Sequence, residues 1–73
     1  MSEHLIKSEV GATVWKIEVS AGDRVSEGDN LVILESMKME IPVTAPFAGV
    51  VEAIHVSEGD VVAEEQALVA ISR

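Results

Sequence analysis

The stretch Val14-Trp15-Lys16-Ile17-Glu18-Val19-Ser20-Ala21-Gly22-Asp23-Arg24-Val25 returns 37 residues later as Val51-Glu52-Ala53-Ile54-His55-Val56-Ser57-Glu58-Gly59-Asp60-Val61-Val62. Gly22 falls on Gly59 and Asp23 on Asp60. At the same separation Leu31-Val32-Ile33-Leu34 meets Leu68-Val69-Ala70-Ile71, and Ala12 meets Gly49. A solenoid needs about three stacked units before it buries a continuous core, and this chain of 73 residues holds two. The pattern predicts a closed pair of half-domains related by a pseudo-twofold axis.

Within each half the apolar periodicity is that of strands. Trp15, Ile17 and Val19 alternate with Lys16 and Glu18, and Ile41, Val43 and Ala45 alternate with Glu40, Pro42 and Thr44. Leu31 to Leu34 is a continuous apolar run, short enough for a strand covered on both faces. Gly22-Asp23 and Gly59-Asp60 are expected to form equivalent corners, because Gly accepts positive φ and Asp hydrogen-bonds the local backbone. Pro42 has no N–H to donate, which places it on a free edge, and Pro46 ends its strand before Phe47 opens the second half. The expectation is an all-β fold: eight or so short strands in two small sheets that close into a flattened barrel or sandwich. Closure also removes bare strand edges. Gly28 is matched by Glu65 in the second half, so that corner either takes another conformation or carries strain.

Bulk properties narrow the function. A chain this short buries only about 60% of the surface its unfolded form exposes, which leaves little room for an internal active site and fits one domain over residues 1–73. Apolar residues make up 48% and charged residues 25%, enough hydrophobic material for a packed core. Cysteine is absent, so packing alone must supply stability, and the composition fits a reducing cytoplasm. No segment approaches the roughly 20 apolar residues of a membrane helix, and the N-terminus lacks the pattern of a signal peptide. The chain is therefore expected to be soluble and unprocessed. The net charge of −8 argues against nucleic acid or an anionic membrane as partner. His4 and His55 lack Cys or paired His neighbours at metal-ligand spacing. The first is expected in the N-terminal segment or on an edge, the second at a polar strand position. No catalytic or metal set is identified, and the chain is read as a substrate of enzymes.

One element breaks the strand-and-corner pattern. Glu35-Ser36-Met37-Lys38-Met39-Glu40 lies between the two halves. A two-residue hairpin loop normally takes Asn-Gly or Gly, because the favoured turns need positive φ. This one offers Met37-Lys38. With those two as the loop, Ser36 faces Met39 and Glu35 faces Glu40, which sets like charges directly opposite. Local rules that fail without a structural gain point to function. Lys38 would project from the tip into solvent. Met37 and Met39 would flank it with flexible, polarizable side chains suited to a partner's apolar pocket.

The segment Glu35-Ser36-Met37-Lys38-Met39 resembles the biotinylation motif of the biotin carboxyl carrier family, Glu-(Ala/Ser)-Met-Lys-Met. Ala21-Gly22-Asp23, Gly28, Ala45-Pro46, Gly49 and Glu58-Gly59-Asp60 extend the resemblance over nearly the whole chain, and it is greatest to short single-domain biotin/lipoyl attachment proteins. It implies a flattened barrel of two four-stranded antiparallel sheets, with the modified Lys on a hairpin at one end and both termini at the other. It implies Lys38 as the covalent site for biotin, with Glu35, Ser36, Met37, Met39 and Glu40 as recognition surface. No thumb-like insertion separates Val19 from Val25, which resembles carriers of pyruvate, propionyl-CoA or related carboxylases.

The resemblance also implies the partners. A biotin protein ligase would acylate the Lys38 amine from biotinyl-adenylate, and would have to supply a base or otherwise favour the deprotonated amine. The biotin ureido nitrogen would then carry carboxylate from a biotin carboxylase to a carboxyltransferase, and the isolated domain would be monomeric. Tethering replaces bimolecular collision with a high effective concentration at both sites. Two alternatives stand beside this. One is a lipoyl carrier, or a dual biotin and lipoate carrier, although such carriers typically hold their Lys in Asp-Lys-Ala and Met on both sides of Lys38 favours biotin. The other is an unmodified structural adaptor. Trp15 aligns with Glu52, which suggests a partly exposed position, with a core-edge role favoured over a docking contact.

Overall fold

A computed structural model describes residues 3–73. Its strands run β1 (Glu3–Lys7), β2 (Ala12–Ile17), β3 (Arg24–Val25), β4 (Asn30–Ser36), β5 (Met39–Thr44), β6 (Gly49–Ile54), β7 (Val61–Val62) and β8 (Ala67–Ser72). They form two four-stranded antiparallel sheets, ordered β1-β8-β6-β3 and β5-β4-β2-β7. A shift of 37 residues carries β1, β2, β3 and β4 onto β5, β6, β7 and β8, and carries one sheet order onto the other. Each half divides its strands between both sheets, so neither half could close a core alone. No helix among the described residues is long and apolar enough to cross a membrane.

The core repeats with the same period. Val14 and Val51, Val25 and Val62, Leu31 and Leu68, Val32 and Val69, and Leu34 and Ile71 are all buried in one cluster. Fully burying such a side chain contributes about 1.5 to 3 kcal/mol, so these five pairs dominate what holds the sheets together. Ser8 occupies the position that Ala45 holds in the other half, and both are buried. Its hydroxyl donates to the Val10 carbonyl, so the polar group enters the core satisfied.

The corners behave as their residues dictate. In four equivalent turns the fourth residue's N–H donates to the first residue's carbonyl, and its side chain accepts from the first residue's N–H: Asp23 with Ser20, Asp29 with Ser26, Asp60 with Ser57 and Gln66 with Ala63. The third position has positive φ in each, 96° at Gly22, 90° at Gly28, 93° at Gly59 and 73° at Glu65. Glu65 therefore adopts the glycine conformation and carries the strain.

Two local expectations are corrected. Trp15 does not share an inward face with Ile17. A β-bulge between Val14 and Lys16 inserts an extra residue opposite β4, so Val14 is buried while Trp15 turns outward. A second irregularity, between Asn30 and Val32, similarly lets Leu31 and Val32 both face inward while Ile33 remains half-buried on the outer face. Pro42 does lie on an edge strand, as its missing N–H requires. His4 lies in the edge strand β1, and His55 falls one residue past the end of β6, its N–H donating to the Leu68 carbonyl at 2.8 Å.

These pairings set the direction of the body, whose extents are 36 × 18 × 17 Å. Glu3 pairs with Ser72, which brings the two ends of the described chain together. The His4 ring packs edge-on against Phe47, just beyond the end of β5, with centroids 4.9 Å apart. The start of β1 thus lies beside the far end of β5, away from the β4–β5 turn. That turn and the Glu3–Ser72 pair occupy opposite ends.

Candidate functional site

β4 and β5 pair Leu34 with Ile41, Glu35 with Glu40 and Ser36 with Met39, leaving Met37 and Lys38 as a two-residue turn. Both have positive φ, 52° and 66°. That is the backbone of the primed hairpin turn, whose twist matches the strands it joins and which selects Asn and Gly. For residues with a Cβ the left-handed region is unfavourable by roughly 1 to 2 kcal/mol each. Neither Met nor Lys relieves this, and the pairing of β4 with β5 holds the turn against it.

The result is a rigid base with an exposed tip. Leu34 is buried and anchors β4 to the core, while Ile41 packs partly buried against the same cluster. Two residues further on, Ser36 is half-buried, and Met37, Lys38, Met39 and Glu40 are exposed. Met37 is 92% exposed and Met39 66%. Glu35, also exposed, stands beside Thr13 of β2 on one side and Glu40 on the other, on the outer face. The structure therefore brings all six residues singled out from the sequence to one end of one hairpin. Among the described residues the recorded ion pair is Lys16 with Glu18 at 3.7 Å, and it lies away from the tip. Lys38 is exposed at the tip of the turn, between two exposed methionines.

The sequence profile described as “Biotin-requiring enzyme” matches residues 4–71. This chain belongs to the biotin/lipoyl attachment family. Among its relatives, the biotinylated protein TB7.3 homolog of Mycobacterium leprae is 48% identical over 67 residues, covering 92% of this chain and 94% of that one. The biotin/lipoyl attachment protein of Bacillus subtilis is 40% identical over 67 residues and 92% of either chain. In solved structures the same fold lies within far larger proteins. A single-chain, multi-domain long-chain acyl-CoA carboxylase matches 97% of this chain with a TM-score of 0.93 and 30% identity, over 7% of its own length. The Kluyveromyces lactis urea carboxylase matches 99% with a TM-score of 0.92 and 33% identity, over 6% of its length. Biotin is accordingly the cofactor associated with this family. The two-sheet architecture argued from the repeat is the family's fold.

The outer face of the hairpin-bearing sheet was not singled out from the sequence. Trp15 there is 49% exposed and Val61, beside Thr13 in β7, is 79% exposed. The partly exposed position expected for Trp15 from its match to Glu52 is the one the structure shows, on the outer face. The signal lay in the repeat itself, which sets Trp15 against Glu52 and Val61 against Arg24.

Proposed function

We propose that the chain is a biotin carrier in which the Lys38 amine is the point of covalent attachment. The observation that carries this is the strained turn, which keeps Met37 and Lys38 in a glycine conformation at the exposed tip of a well-anchored hairpin. Evolution of a stable hairpin alone would place Asn-Gly there. Acylation requires the amine nitrogen to attack the activated carboxyl carbon of the donor. The C–N amide bond forms as the bond to the adenylate leaving group breaks, and the nitrogen gives up its proton to a base of the ligase. This chain contributes position: its pairing from Leu34 to Ser36 fixes the base of the lysine arm, and the turn keeps the amine clear of the sheets.

When bound, biotin supplies a ureido nitrogen able to take up and release carboxylate. The two carboxylase structures, in which this fold is a small part of a multi-domain chain, support a biotin carboxylase and a carboxyltransferase as the sites served. Glu35, Ser36, Met37, Met39 and Glu40 are read as the recognition surface, because they share the tip with Lys38 and contribute little to the core. The composition suits a single domain working in a reducing cytoplasm. A second reading, lipoate in the same amide linkage, rests on the name of the Bacillus relative. Incubation with a biotin protein ligase, ATP and labelled biotin tests the proposal. Label should enter the wild type and be lost in Lys38→Arg; label retained in that variant would refute it.

A further inference from the structure

The pseudo-twofold supplies an internal control for each surface position, since the same backbone site occurs twice in one molecule. On the outer face of the β5-β4-β2-β7 sheet, cross-strand pairs align Glu40, Glu35, Thr13 and Val61 in one row. The neighbouring row places Trp15 and Lys16 at the bulge opposite Ile33. Trp15, Ile33 and Val61 thus form an apolar patch on the sheet that carries Lys38. On the other sheet the equivalent row is Glu3, Ser72, Val50 and Arg24, and Glu52 replaces Trp15. There Glu52 accepts a hydrogen bond of 2.7 Å from the Ser72 hydroxyl. Charged residues satisfy the fold at both sites, so folding does not require Trp15 and Val61 to be apolar.

The patch has a sign as well as a shape. Glu35 and Glu40 border it toward the tip, and Glu58 borders it at the bulge, where its carboxylate accepts from the Ile17 N–H at 3.1 Å. Lys16 is neutralised by Glu18. A complementary surface must present an apolar socket, which suits Trp, flanked by Lys or Arg. Reach decides which partner must press this close. Trp15 lies opposite Ile33, five residues from Lys38, or roughly 16 Å along the strand. A standard interface burying about 800 Å² on each side extends roughly that far from its centre. The unmodified lysine has only its own short side chain with which to reach a reacting carbon, so its acylating enzyme must seat the body of the domain against itself. A lengthened arm relaxes that demand for later partners.

We infer that the Trp15–Val61 face is the docking surface for the biotin protein ligase, engaged by a basic-rimmed apolar socket on that enzyme while Lys38 enters its active site. The inference rests on the carrier role proposed above. Its test copies the mirrored residues, Trp15→Glu and Val61→Arg, with Trp15→Ala as a second variant that adds no charge. Thermal unfolding verifies that each is folded, and ligation is measured against domain concentration with ATP and biotin. The expected result is a rise in KM of about tenfold for Trp15→Glu and Trp15→Ala, with kcat held within about twofold. Arg24→Ala and Glu52→Ala, on the mirrored face, should leave both constants unchanged. Equal KM for wild type and Trp15 variants would overturn the inference while leaving the carrier role standing. So would unchanged ligation accompanied by impaired carboxylation, or by loss of a concentration-dependent dimer, because the face would then belong to a carboxylase or to a second copy. A wild type that is not modified at Lys38 would overturn both.

Discussion

Glu35 and Glu40 face each other across β4 and β5, two pairs before the turn that carries Lys38. At the opposite end of the molecule the equivalent pair is Ser72 with Glu3, and Ser72 is hydrogen-bonded to Glu52. The same fold thus builds this position in two ways, and the one beside Lys38 sets two carboxylates against each other.

Like charges directly opposite in a sheet are unfavourable by some tenths of a kcal/mol. Glu35→Ser, which copies Ser72, should therefore stabilise the domain by about 0.5 kcal/mol at low ionic strength. The gain should shrink as salt screens the pair. Urea unfolding at two salt concentrations measures it. The same variant should be a poorer ligase substrate if the carboxylate is read, which sets stability against function at one residue.

The turn itself offers a larger effect. Asn tolerates positive φ where Met does not, so Met37→Asn should add about 0.5 to 1 kcal/mol of stability. Combining it with Lys38→Gly should raise the total to about 1 to 2 kcal/mol, while abolishing attachment. Equilibrium denaturation of both variants checks the order. A fall in stability would show that the Met or Lys side chain supports the turn.

Glu65 holds φ at 73° where its counterpart Gly28 holds 90°. Glu65→Gly should be neutral or stabilising, by up to about 1 kcal/mol, because relief of the left-handed backbone competes with the greater freedom of Gly in the unfolded chain. Gly28→Ala should destabilise by about 1 kcal/mol. Neither change should affect biotinylation, since both corners lie outside the hairpin tip.

Gly49 answers to space instead. A Cβ there would collide with the Ser72 carbonyl oxygen and approach the Ile71 Cγ2. The main chain of β8 would have to move, so Gly49→Ala should cost about 1 to 3 kcal/mol, seen as a lower urea midpoint. The matching position in the first half is Ala12, so the approach is closer at the second.

Much of this was legible in the chain because the repeat was. Gly22, Gly59 and the Leu31 and Leu68 runs announced two similar halves, and Met37-Lys38 stood out as wrong for a hairpin. What escaped was phase. A β-bulge at Trp15 turns that side chain outward, and simple alternation does not reveal an inserted residue when Val14, Trp15 and Ile17 are all apolar. The outer face went unremarked because the repeat matches Val61 to Arg24 without showing which way either points; the pairing of β7 with β2 sets Val61 beside Thr13 on the exposed face. The exposure of Lys38 and its neighbours, by contrast, followed from their place in the turn.

The central claim concerns one amine among three lysines, Lys7, Lys16 and Lys38. Its most direct test is the intact mass of the protein after reaction with a biotin protein ligase, ATP and biotin, followed by fragmentation to place the adduct. One biotinyl group, located on Lys38, is the predicted result. An unmodified chain in the presence of an active ligase, or a biotinyl group on Lys7 or Lys16, would contradict it.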